Sequence, residues 1–192
     1  MYFITFDVET YHPEQKDEID VGKLRVSVVG AYLSWLDQYV AFLEEDVTDF
    51  LKLVPHVDLL VGYNQLWFDL PVLQKYATFD LKNLPNYDIL VELEKKLGYK
   101  VKLNDLCKVN LEETKTDSFE QFKHYYWRKQ WLPLIDYCMH DVRLTNQLFQ
   151  LIVSTGKLKY PDMHEIKEVN LDQPQFNQAK NQPPMEIMDT IF

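Results

Sequence analysis

The spacing of apolar residues changes period along the chain. Residues 2 to 8 alternate between apolar and polar and are rich in Tyr, Phe, Ile, Thr and Val, which predicts a strand. Leu24 to Trp35 (LRVSVVGAYLSW) and Gln38 to Leu43 predict two more strands, antiparallel to each other. Asp46 is placed to cap a helix running to about Val54, where Pro55 stops it. Val57 to Gly62 is a near-continuous apolar run of the kind buried in a parallel sheet. Helical spacing takes over after that. Asp69 to Ala77 is entered through Pro71, and Asp88 to Leu97 is capped by Asp88 and closed by Gly98. Two further helices are expected around Leu103 to Val109 and Ser118 to Lys129, then a long one with Pro133 in its first turn that ends at Gly156. Three strands, a helix, a strand and a run of helices predict an α/β protein with a mixed sheet flanked by helices.

Composition narrows this little. At 192 residues, with 46% hydrophobic and 26% charged, the chain has the make-up of one globular domain and not of a disordered or collagen-like one. Beyond about residue 160 it turns to Asn, Gln, Pro and acids, so residues 1 to 160 are expected to form the domain and 161 to 192 a flexible acidic tail. The start, MYFITFDVE, lacks the basic and long apolar regions of a signal peptide, and no stretch approaches 18 apolar residues. A cytoplasmic protein outside any membrane is expected. Cys107 and Cys138 lack partners at metal-binding spacing and are expected as buried free thiols.

Charge carries more information. Twenty Lys and Arg against thirty Asp and Glu give −10, which alone argues against nucleic acid as a partner. Between Lys95 and Lys129, however, nine bases face five acids, a net +4. That stripe is open to two readings, a solvated helix face or a phosphate-contacting one. Its end, Lys123 to Lys129, interleaves bases with aromatic residues as single-strand binders do, although core packing accounts for the aromatics equally.

Three groups of acids stand out. Asp7 and Glu9, two apart on a strand, present both carboxylates to one face, where a divalent cation would remove their repulsion. Asp69 follows the buried strand, beyond the carboxyl end of a sheet strand where open α/β folds build their sites; a helix N-cap is the plainer alternative. Tyr137 and Asp141, four apart, share a helical face, as an active phenol beside a metal-binding carboxylate or as a core tyrosine near a solvated acid.

Taken together, FDVET, YNQLWFDLP and YCMHD resemble, in order and spacing, the three motifs of the DEDD 3′–5′ exonucleases of the tyrosine subtype. The resemblance is greatest to the proofreading domain of family-B DNA polymerases and its small stand-alone relatives, and it covers about residues 1 to 160. It implies a ribonuclease H-like fold, a site of Asp7, Glu9, Asp69 and Asp141 holding two Mg²⁺ or Mn²⁺ ions, and Tyr137 positioning the attacking water. The implied reaction is hydrolysis of phosphodiester bonds at 3′ ends of single-stranded or frayed DNA, releasing nucleoside 5′-monophosphates. It further implies that Asn64 contacts the terminal nucleotides, although a turn residue is an equal reading of that position.

Beside Asn64, Trp67 is a candidate to stack on an unpaired base, and Lys123, Arg128 and Lys129 are candidates for phosphate contact. An exoribonuclease remains open because the same acids serve both polymers. A catalytically inert module that binds nucleic acid or a partner is the alternative of another class, and the complete acid set argues against it. The acidic tail ends MEIMDTIF, whose apolar finish loosely resembles the sliding-clamp-binding peptides of replication and repair proteins but lacks their glutamine. Folding back onto the chain's own surface, or self-association, is the competing reading.

Overall fold

A computed structural model describes residues 2–11, 20–113, 125 and 127–176. Five strands make one sheet in the order β3-β2-β1-β4-β5. These are β1 (Phe3–Tyr11), β2 (Arg25–Leu33), β3 (Gln38–Leu43), β4 (Leu59–Gly62) and β5 (Asn86–Asp88). The first three form an antiparallel meander, and β4 and β5 run parallel to β1. Helices α1 (Val47–Leu53) and α2 (Asp69–Gln74) cover one face. The other carries α5 (Trp131–Thr155), with α3 (Ile89–Leu97) and α4 (Leu103–Asn110) in the same core. This is the α/β mixed sheet that the sequence pattern predicts, of the ribonuclease H-like type that the motif resemblance implies.

The alternation in β1 decides what faces what. Ile4, Phe6 and Val8 enter the core under α1 and α2, where Phe6 meets Phe50 at 5.6 Å between ring centres. Thr5, Asp7 and Glu9 therefore turn to the opposite face, toward α5. Helix α5 lies very close to the sheet there. A Cβ on Gly30 of β2 would stand 2.9 Å from Cys138 Sγ, 3.0 Å from Val142 Cγ2 and 3.1 Å from Met139 Sδ. Gly30→Ala should consequently push α5 outward and destabilise the fold by about 1–3 kcal/mol, read as a lower denaturation midpoint in urea. An unchanged midpoint would show that α5 has slack at this contact.

Two features depart from the sequence reading. Strand β5 escapes the sequence pattern because three residues show no period. The boundary at residue 160 falls inside a hairpin of β6 (Lys157–Asp162) and β7 (Glu165–Asn170). Its sequence looks tail-like because one face is solvated and laced with ion pairs, Lys157–Glu168 at 2.7 Å and Lys167–Asp162 at 2.5 Å. Leu158, Val169 and Leu171 are nonetheless buried in the α5-side core, and Tyr87 donates to the carbonyl of Asp172 at 2.9 Å, so the packed chain runs past residue 170. Most of the helix expected over 118 to 129, Lys123 included, lies outside the described residues, as does the tail from 177 onward. Cys107 and Cys138 are buried free thiols, as expected, and no helix among the described residues is long and apolar enough to cross a membrane.

Candidate metal centre

A buried hydrogen bond sets the register of α5 on the central strand: Thr5 Oγ1 donates to Asn146 Oδ1 at 3.1 Å. From that pin the two elements run in opposite directions. Two residues along β1 advance about 6.7 Å to Asp7, and five residues back along α5 cover about 7.5 Å to Asp141. Four residues of strand reach Glu9 at about 13 Å, and nine of helix reach Tyr137 at about 13.5 Å. The matching rises bring the first and third sequence motifs face to face. One carboxylate oxygen from each of Asp7, Glu9 and Asp141 lies within 4.8 Å of the others, and this all-oxygen group could hold a metal ion of the hard, divalent kind. Tyr137 stands half-buried beside it, its phenol pushed up by burial and then by the charges of Glu9, Asp141 and Asp7. Such a phenol keeps its proton. Behind the group, the buried Cys138 thiol points to Asp7, 3.5 Å from its carbonyl and 3.9 Å from Oδ2.

Asp69 takes a different position from its three companions. The ladder from β1 to β4 ends at Thr5, and farther along β1 the Val8 N–H donates instead to Asp69 Oδ1 at 2.7 Å. The helix-cap alternative does not hold: α2 begins at Asp69 itself and has no side-chain cap. Asp69 is buried beside Asp7, outside the three-acid group. Burial first, and then the charge of Asp7, hold its carboxyl well above the ordinary 3.8, against the pull of the backbone N–H groups of Val8 and Asp69.

This has a pH consequence. A carboxyl raised in the folded state stabilises the fold while protonated; the contribution is full below the unfolded value near 4 and is lost as pH rises through the folded value. Asp69→Asn keeps an oxygen for Val8 and cannot ionise. In chelator, wild-type protein should lose thermal stability relative to Asp69→Asn as pH climbs from about 4 toward neutral. Parallel melting profiles would show that Asp69 is not held protonated.

The turn after β4 hangs from Asp88. Its carboxylate accepts from Asn64 N–H at 2.8 Å and Leu66 N–H at 3.0 Å while also capping α3 through Leu90 and Val91. The sequence marks Asp88 as a cap but gives no sign of this second grip. Asn64 adopts a left-handed φ of 68°, and its carbonyl accepts from Trp67 and Phe68, which makes it a turn residue. Trp67 is 66% exposed on the turn and Phe68 packs on the core. Arg128 and Lys129 are exposed next to Trp127, whose ring meets Tyr11 edge-on at 5.4 Å, at the Glu9 end of β1. Farther back in the basic stripe, Lys95, Lys96 and Lys108 pair with Glu92, Asp172 and Asp105. The Thr5–Asn146 pin is a second site feature that sequence reasoning missed; the short period of β1 and the helical phase of α5, taken jointly, carry its only signal.

No protein-family model matches the chain, and none of the curated proteins does. Among solved structures, it is similar to the family B DNA polymerase of the hyperthermophilic archaeon Pyrobaculum calidifontis, with a TM-score of 0.60 and 17% identity. The match takes in 79% of this chain and 24% of that polymerase, so the likeness is one of fold to part of a much longer protein.

Proposed function

We propose that this chain is a metal-dependent 3′–5′ exonuclease that hydrolyses phosphodiester bonds at the 3′ ends of single-stranded or frayed DNA and releases nucleoside 5′-monophosphates. The observation that carries this reading is the convergence of Asp7, Glu9 and Asp141 around one point with Tyr137 alongside. The motif order of the sequence supports it, as does the fold likeness to a DNA polymerase.

The oxygen donors suit two Mg²⁺ or Mn²⁺ ions, held by Asp7, Glu9 and Asp141 with Asp69 adjoining. Bound there, such ions supply activation of the attacking water and charge stabilisation at the leaving 3′-oxygen. The chain's own groups do the rest. Tyr137, holding its proton, orients the water by hydrogen bonding and does not act as a base. Asn64 and Trp67 present a polar edge and an aromatic face for the terminal nucleotides, and Arg128 and Lys129 offer charge to the phosphates, with Lys123 assigned the same part from sequence.

The test is direct. Single-stranded DNA and RNA are labelled at each end in turn and digested with Mg²⁺, Mn²⁺ or chelator. Loss of mononucleotides from the 3′ end, only with metal, is expected. Release from the 5′ end, internal cuts or cleavage in chelator would overturn the reading, and faster loss from RNA would turn it to an exoribonuclease.

A further inference from the structure

A cavity opens beside β2 at Ser27, the neighbour of Val28, which pairs with Glu9. It has a volume of about 220 Å³ and is lined by Val26, Ser27, Leu43, Glu44, Glu45 and Trp131. Its floor is a bulge. The pairing of β1 with β2 passes from Glu9 opposite Val28 to Thr10 opposite Val26, so Ser27 is an extra residue with no counterpart on β1. Ser27 is only 4% exposed, and its hydroxyl has no hydrogen-bond partner among the described residues. A buried hydroxyl left unpaired destabilises a fold and needs a reason. The wall is Trp131, 42% exposed at the start of α5, six residues and about 9 Å of helix from Tyr137.

We propose that this cavity is a subsite for one unpaired nucleobase of the strand whose end lies at the acid group; the proposal rests on the nuclease reading. The ring of Trp131 offers a face for stacking, which is tolerant of base identity. At the edge, the Ser27 hydroxyl donates to a ring nitrogen or carbonyl, and the exposed Glu45 carboxylate accepts from an amino or imino N–H. That pairing of one donor with one acceptor suits a nucleobase edge. The neighbouring Glu44 is already matched, its Oε1 accepting from Arg25 Nε at 2.8 Å and from Tyr76 Oη at 3.0 Å, so it adds little repulsion toward a phosphate chain.

The test measures binding and not cleavage. Full-length protein is titrated with a fluorescent single-stranded oligodeoxynucleotide in the presence of Ca²⁺, and anisotropy gives the affinity. Trp131→Leu should weaken binding roughly 5- to 100-fold, and Trp131→Phe should restore most of it. Ser27→Ala should act in two opposite directions. Relief of the unpaired hydroxyl should raise the melting temperature of the free protein, while oligonucleotide affinity falls. Equal affinity in Trp131→Leu and wild type, or a Ser27→Ala protein that melts higher and binds as well as wild type, overturns the subsite. So does displacement of the oligonucleotide by spermidine that depends on Trp131, which would make the cavity a cation site. Wild type that binds through Trp131 but fails to hydrolyse DNA with Mg²⁺ would keep the subsite and remove the nuclease reading, so the two fail separately.

Discussion

Replacing Asp7 or Asp141 by alanine will abolish hydrolysis of DNA 3′ ends while leaving a folded chain. Groups that merely hydrogen-bond a metal ligand are worth about 10- to 100-fold, so removal of a ligand should cost roughly 1000-fold or more. Stability should respond in the reverse sense. Without metal, Asp7, Glu9 and Asp141 repel one another within 4.8 Å, and deleting one relieves that crowding. Divalent ion at 100 times its Kd should stabilise wild type by about 2.7 kcal/mol, which for a chain of this size raises the melting temperature by roughly 5–10 °C. The variants should gain little of this. Undiminished turnover, or a variant unfolded in chelator, would reduce the acids to structural residues, and the isosteric Asp141→Asn distinguishes lost packing from lost charge.

Tyr137→Phe should produce the second largest loss of rate by a different route. It removes a hydroxyl and no charge from a half-buried ring, so the metal-induced rise in melting temperature should persist in full. The rate should fall about 10- to 1000-fold if the hydroxyl positions the water. Because burial and the three carboxylates push the phenol up, the residual pH profile should show no new limb near neutrality when the hydroxyl is lost. A turnover equal to wild type would make Tyr137 a packing residue, and a lost melting shift would place it among the metal's supports.

Much of this site is legible in the sequence because it depends on local period. Asp7 and Glu9 share a face by the two-residue repeat of a strand, and Tyr137 and Asp141 by the four-residue repeat of a helix. Neither repeat says that the two faces meet. That depends on Thr5 and Asn146, and on the absence of a side chain at Gly30, which lets α5 settle against β2. Asp69 shows the converse limit. Its place at the start of α2 is readable, but the destination of its carboxylate is set by where the β1–β4 ladder stops, a property of two distant strands. The β6–β7 hairpin was hidden for a third reason: it buries few residues and solvates the rest, so its composition is that of a tail.

The distance along the chain between the two halves of the centre has a kinetic consequence. Asp7 and Cys138 touch across 131 residues, and Thr5 and Asn146 across 141. Contacts of such long range are formed late, after the loop-closure entropy of the intervening chain has been overcome. A refolding intermediate that has the meander but not a docked α5 holds two carboxylates and cannot complete the group. Recovery of metal binding should therefore lag behind recovery of β-sheet signal in a refolding experiment, and a nascent chain lacks the Asp141 carboxylate of the group until α5 has emerged.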